Sequence, residues 1–236
     1  GVHLTHDRET RGILVFGSIG SGKTVWNKYV IDQLIHQGYR VLIHDYKGDF
    51  TSELDCKFTL LSPTDARSAT WDICEETGRT SEPAIRQLAA DLVPEGEGQE
   101  RGWRERARTL LRGCIYVAIA RRGARRWHWS TVAAVLDDLA IDLPRVRCEL
   151  AAVDREAAGQ IHVDDNGSPI NPTPSVISNL TEAREAIDVL RKAETAGARW
   201  SAARWLSDNT RARRGLPAVT VIRGDPAMPR VTQAWM

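Results

Sequence analysis

The sequence predicts an α/β fold: a parallel sheet interrupted by an inserted all-α domain. Three observations predict it. Over residues 11–45 an apolar run, a glycine-rich loop, a helical repeat and a second apolar run follow in the order of a βαβ unit. From about residue 82 apolar residues recur at helical spacing for roughly 120 residues. Near the end, Pro217-Ala218-Val219-Thr220-Val221-Ile222 resumes the strand pattern.

Each element has a local reason. Ile13-Leu14-Val15-Phe16 is continuously apolar, the pattern of a strand buried on both faces. Val25, Trp26, Tyr29, Val30, Leu34 and Ile35 then repeat at helical spacing, and Gly38 ends that helix. Val41-Leu42-Ile43-His44-Asp45 reads as the next strand, with a right-handed crossover between the two. Lys47-Gly48-Asp49 makes a turn, and Phe58–Leu61 reads as a third strand. Helices are expected at 84–92, at 99–122, at 129–141 with Ser130 as cap, at 144–158 and at 175–195. On the second of these, Trp103, Ala107, Leu110, Leu111, Cys114, Ile115 and Ala118 share one face, which places Trp103 in the core. A short helix closes at Trp205-Leu206.

Composition narrows the class. The chain has 236 residues, 42% hydrophobic and 27% charged, which excludes disordered, collagenous and disulfide-scaffold classes. Net charge is +1, so a nucleic-acid or membrane partner has to be argued from local patches. Cys56, Cys74, Cys114 and Cys148 have no metal or redox spacing and suit a reducing compartment. No apolar run reaches the ~18 residues that span a bilayer. The chain starts Gly1-Val2-His3 and its methionines are Met228 and Met236, so it reads as a cytoplasmic fragment of a longer protein.

Gly17-Ser18-Ile19-Gly20-Ser21-Gly22-Lys23-Thr24 matches G-x-x-x-x-G-K-[ST] in full, between an apolar run and a helix. Glycines let backbone N–H groups curl around phosphates, and the helix N-terminus adds its positive dipole end. Lys23 would reach the β and γ phosphates of ATP, and the Thr24 hydroxyl would ligate Mg²⁺. Hydrolysis also needs a carboxylate on a second strand. Asp45 ends a strand but lies early, and fits a turn role equally well. Val132–Asp138 ends in two acids but sits in a helical pattern. The missing carboxylate is therefore expected beyond Met236, and the chain alone is expected to bind ATP without turning it over.

Beside the phosphate loop stand Glu9-Thr10-Arg11-Gly12, Asp45-Tyr46-Lys47-Gly48-Asp49, the stretch Leu61 to Asp72, and Ser201 to Asp208. In this order they resemble the coupling proteins of type IV secretion and bacterial conjugation, the TraD- and TrwB-like branch of the FtsK/HerA P-loop motors. Tyr46 departs from the family's D-P-x-G-D turn, where a proline stands. Leu61-Ser62-Pro63-Thr64-Asp65-Ala66-Arg67-Ser68-Ala69-Thr70-Trp71-Asp72 is similar to the family's N-P-F-D-x-R-S-x-x-W-N stretch. The resemblance implies a RecA-like P-loop NTPase core over 1–80, an all-α domain over 81–200, and a return to the nucleotide-binding domain over 201–236. It implies a DNA-dependent motor ATPase with ATP and Mg²⁺, working as a hexamer at the cytoplasmic face of the inner membrane. Its implied partners are DNA, relaxosome or effector proteins, and secretion-channel components.

Charge is segregated although the total is near zero. Residues 101–126 hold nine arginines and one acid, and residues 127–170 hold eight acids and three arginines. Arg121, Arg122, Arg125 and Arg126 are the candidate phosphate contacts, with Trp127 and Trp129 beside them for stacking. Asn209, Arg211, Arg213 and Arg214 read as a loop that could reach a neighbour's phosphate. Two other readings stay open: a non-catalytic nucleotide-binding and partner-docking module, and a P-loop small-molecule kinase whose insert is a lid.

Overall fold

The computed structural model describes residues 14–62, 64–194, 199–207 and 218–225. Residues up to Val41 form one compact unit and those from Leu42 onward form a second. The first unit is the glycine loop and helix α1, Lys23–His36. The helix ends on Gly38, whose φ of 80° only glycine adopts freely. Gly38 N–H donates to Ile35 O and Tyr39 N–H to Leu34 O, so the last carbonyls of the helix are satisfied by the reversing chain. The run Leu14–Phe16 departs from expectation, for it forms no strand and Leu14 and Phe16 are exposed. An extended segment becomes a strand only when a neighbour completes its ladder, and among the described residues none does. Residues 9–12, Pro63 and 208–217 lie outside the described residues, and with them part of the motif series and the arginine loop.

A three-stranded sheet is formed by β1 (Val41–His44), which begins at the boundary residue, β2 (Phe58–Leu61) and β5 (Val219–Ile222), in the order β1-β5-β2. A short helix α2, Asp49–Glu53, lies between β1 and β2. β2 and β5 run parallel, with Phe58 opposite Val219 and Leu61 opposite Ile222. A pair of two-residue strands, β3 (Thr70–Trp71) and β4 (Arg199–Trp200), also run parallel. They join the points where the chain enters and leaves the helices. Asp72 N–H donates to Trp200 O, and Ala202 N–H, at the start of helix α11 (Ala202–Ser207), donates to Glu76 Oε2.

Between those strands lie α3 (Ile73–Glu76), α4 (Glu82–Leu92), α5 (Glu100–Arg122), α6 (Trp129–Ile141), α7 (Leu143–Val153), α8 (Arg155–Ala158), α9 (Thr173–Ser178) and α10 (Thr181–Ala193). α5 is the axis of this body and touches α4, α6, α7, α8 and α9. Ala107, Leu110, Leu111, Cys114, Ile115 and Ala118 are fully buried along it. Burial pushes the Cys114 thiol up to about 12, so it behaves as an inert apolar side chain. Trp127 and Trp129 also enter the core, and Trp127 Nε1 donates to Arg79 O.

Four sequence expectations need correction here. Trp103 is not in the core but 37% exposed, because the first turns of α5 extend past the packed layer. The cap of α6 is His128, not Ser130, with Thr131 completing the reciprocal box. Glu194, from the end of α10, accepts from the N–H groups of Trp129 and Ser130, placing a carboxylate at that positive helix end. The stretch 144–158 is two helices, because Asp154 turns extended and its carboxylate takes the Ala157 N–H as cap of α8. The stretch 175–195 is also two, because the side chain and backbone of Asn179 both donate to Ser175 O and end α9.

One charged side chain lies at the border of this core. The Arg112 guanidinium bonds Asp154 at 2.8 and 3.1 Å and Glu156 at 2.7 Å. These partners hold its pKa above the ordinary arginine value. Beside it, Gly113 allows α5 to approach α7 and α8. A Cβ there would fall 2.3 Å from Ala157 Cβ and 2.7 Å from Leu150 Cδ2. Gly113→Ala is therefore expected to lower unfolding free energy by about 1–3 kcal/mol, despite alanine's better helix propensity. Urea unfolding followed by far-UV circular dichroism measures this.

Candidate functional site

The phosphate loop lies wholly within the first unit. Gly20 and Gly22 have φ of 81° and 82° with open space around them, so conformation rather than room requires glycine. At Gly17 a Cβ would lie 2.6 Å from Ser21 Oγ, so that hydroxyl would have to turn aside. Ser21 N–H donates to Ser18 O and closes the turn. Gly22 caps α1 through its backbone, and the first turn of α1 holds no acid. The opening N–H groups of a helix have no intrahelical acceptors, so they are available to an anion. Lys23 Nζ folds back and donates to Gly17 O at 2.7 Å and Ser18 O at 2.6 Å. The cation is thus held against the first two residues of the loop, and phosphate oxygens would replace those two carbonyls. A cleft of about 490 Å³ adjoins it, with Phe16, Ser21, Lys23 and Trp26 among its walls. That volume is in the range of small-ligand sites, about 300–1,000 Å³. The loop therefore fits a nucleotide's phosphates.

A second cluster forms at the carboxyl ends of the strands in the second unit. Asp45 N–H donates to Ile222 O, and Arg223 N–H donates to Leu61 O, so these strand ends lie side by side. Asp45 is buried, and its carboxylate accepts from Gly48 N–H, Thr51 N–H and the Thr51 hydroxyl at 2.6–2.9 Å. Burial pushes this carboxyl up, but the Thr51, Phe50 and Gly48 donors outweigh it and leave its pKa below the ordinary value. Asp45 thus organises the turn into α2, and its oxygens are occupied there. Gly48 takes φ 83°, and a Cβ on it would meet the Arg223 guanidinium at 3.3 Å. Asp65 receives Arg67 Nε at 3.0 Å and Nη2 at 2.7 Å, with Arg223 at 3.9 Å. Ser68 Oγ accepts from Ser62 N–H, and Thr64 donates to Asp225. The D-x-R-S spacing made the Asp65–Arg67 pair legible. Nothing in the sequence signalled that Arg223 joins them.

The basic candidates divide. Arg121 is held between Asp138 at 2.6 Å and Glu149 at 2.5 Å, so its charge is already answered within the body. Arg122, Arg125 and Arg126 are exposed and make no ion pair among the described residues. Trp127 and Trp129 are buried and cannot stack on a base. The other acidic candidates lie on a helix, as their spacing implied. Asp137 pairs with Arg184, and Asp138 also takes Arg145. Among the described residues no three His, Cys, Asp or Glu side chains converge to hold a metal. Nor is any helix there long and apolar enough to cross a membrane.

Comparison with known proteins adds the family. The model of the family described as type IV secretion-system coupling protein DNA-binding domain matches residues 1–232. Coupling protein TraD of Escherichia coli K12 is 28% identical over 116 residues, 48% of this chain and 16% of TraD. The plasmid coupling protein TrwB in complex with ADP and Mg²⁺ superposes with a TM-score of 0.60 and 21% identity, over 92% of this chain and 49% of that one. The sulphate complex of TrwBdeltaN70, a bacterial conjugative coupling protein, gives 0.57 over 93% and 49% at the same identity. The chain thus spans about half the length of these solved structures. The likeness establishes a RecA-like P-loop α/β fold.

Asp65 yields a pH prediction. The Arg67 guanidinium, opposed by burial and helped by Arg223, holds its carboxyl at about 2, against an ordinary 3.8. A carboxyl depressed on folding stabilises the fold above its unfolded pKa. Its contribution is lost as pH falls through the folded one. Thermal unfolding should therefore lose this contribution between about pH 4 and pH 2. Asp65→Asn should cost about 1 kcal/mol or less at pH 7, since Arg67 is largely exposed, and should flatten that acid decline. Tm measured across the window for both proteins checks it.

Proposed function

The chain belongs to the type IV secretion-system coupling protein family, and from that premise we propose that it is the ATP-binding part of a DNA-dependent motor ATPase. The motor would move DNA or protein substrate into a conjugation or secretion channel. One observation carries the reading: a complete phosphate loop with two left-handed glycines, its lysine folded back onto the loop's own carbonyls. In this reading Gly17, Ser18, Ile19, Gly20, Ser21 and Gly22 wrap the phosphates with backbone N–H groups. Lys23 neutralises the β and γ oxygens, and Thr24 holds Mg²⁺. When bound, the metal supplies positive charge between those oxygens. Residues 81–200 serve as an all-α domain set into a nucleotide-binding domain of 1–80 and 201–236. Arg122, Arg125 and Arg126 give it a phosphate-binding face, with Arg121 contributing less because of its internal pairs. DNA, relaxosome or effector proteins and channel components are the proposed partners. The working state is a hexamer at the cytoplasmic face of the inner membrane.

A second reading is a nucleotide-binding and docking module without turnover. The occupied carboxylates of Asp45, Asp137 and Asp138 favour it for the chain taken alone. A small-molecule kinase is disfavoured, because the coupling-protein model matches across the helical insert.

Fluorescence titration with a mant-labelled ATP and Mg²⁺ tests the binding claim. The chain is expected to bind, and Lys23→Ala to weaken binding by about 10- to 100-fold, the worth of a charge-assisted contact. Absence of binding by the unaltered chain would sink the reading. Hydrolysis by the chain alone, with or without single-stranded DNA, is expected to stay near background. Turnover at a motor's rate would show that one of the occupied carboxylates is released for catalysis.

A further inference from the structure

α5 carries seven arginines, five in its first thirteen residues and two at its end, and four of the seven are spent internally. Arg104 pairs with Glu182, Arg108 with Glu95 and Glu105, Arg112 with Asp154 and Glu156, and Arg121 with Asp138 and Glu149. Arg106 differs. Its guanidinium lies 5.6 Å from the centre of the Trp103 ring, and it makes no ion pair among the described residues. Trp103 differs too, being exposed where Trp127 and Trp129 are buried. The pair opens on a pocket of about 590 Å³ whose other walls include Gln160, His162, Asn171 and Pro172. No carboxylate lines it. The walls are held from behind: His162 N–H donates to the buried Thr173 hydroxyl, Ile170 N–H to His162 O, and Gln160 Nε2 to Glu156 O.

An exposed indole, an uncommitted guanidinium and two primary amides, without a carboxylate, suit a planar ring that carries an anion. We propose that this pocket receives an unpaired nucleotide of single-stranded DNA, its base on the Trp103–Arg106 platform and its phosphate toward Arg106. A base in a duplex keeps its faces stacked on its neighbours, so only a single strand can present a face to the indole. Gln160 and Asn171 supply both donors and acceptors to a base edge. The inference rests on the reading that the chain binds DNA and adds where and in what form it does so.

Fluorescence anisotropy with a labelled oligothymidylate at low salt tests it. The chain is compared with Trp103→Ala, Trp103→Phe, Arg106→Gln and a triple change of Arg122, Arg125 and Arg126 to Gln. Trp103→Ala should weaken binding by about 5- to 150-fold, the worth of one stacked base. Trp103→Phe should retain most of the affinity, and a duplex of the same length should respond little to either. Arg106→Gln should weaken the single strand and flatten its salt dependence. Trp103 is at the surface, so unchanged circular dichroism and Tm are the folding control. If the chain binds the strand and Trp103→Ala binds equally well, while the triple change abolishes binding, the pocket is refuted and the DNA reading stands. If the unaltered chain binds no strand at any salt, both fail. If an acidic peptide competes with the strand only in the presence of Trp103 but the strand itself is insensitive to Trp103→Ala, the pocket is a protein-docking site and the proposal is overturned.

Discussion

Helix α5 is buried on nearly every side from Ala107 to Ala118, and Arg112, the one charged residue buried there, is answered by Asp154 and Glu156. An isolated buried guanidinium would force water in or push helices apart. Asp154 prevents this, and the same carboxylate caps α8. The break between α7 and α8 is therefore not an accident of sequence. It turns α8 so that an acid meets the arginine while Ala157 fits against Gly113. Removing one partner of such a pair commonly costs about 3–5 kcal/mol, since the other charge is stranded. The helical body thus depends on one polar contact inside an otherwise apolar axis.

The same principle explains the charge distribution. In sequence the basic stretch 101–126 and the acidic stretch 127–170 look like two opposed faces. In the fold they are each other's partners: Arg112 with Asp154, Arg121 with Asp138 and Glu149. What remains uncommitted is a small remainder, chiefly Arg106, Arg122, Arg125 and Arg126. Segregated charge in a chain is therefore a statement about which segments will meet, before it is a statement about partners. The same economy holds for acids at the strand ends, where Asp45 serves the turn into α2 and Asp65 serves Arg67 and Arg223.

The phosphate loop, α1, β2, β5 and the long α5 were legible because each is set by local spacing: glycine positions, a 3.6-residue repeat, a short apolar run. Trp103 was misplaced because periodicity says which face a residue shares, not where the packed layer stops. The breaks at Asp154 and Asn179 were missed because each depends on a side chain competing for backbone groups, a choice that tertiary packing decides. Leu14–Phe16 reads as a strand by composition, yet a strand is a property of two segments, not one. The meeting of Arg223 with Asp65 spans most of the chain and follows from sheet order, which no local pattern encodes.

The small parallel pairing of Trp71 with Trp200 has a kinetic meaning. The ladder between Phe58–Leu61 and Val219–Ile222 joins segments separated by the whole insert and its flanks. Closing so long a loop before any of it is ordered carries a large entropic penalty, whereas helices assemble from near neighbours. Once the helical body has formed, its two ends stand side by side, and the effective loop shrinks to the short segments flanking them. The body is then the template on which the sheet zips, so that the order within the helices governs how fast the ladder between β2 and β5 can assemble.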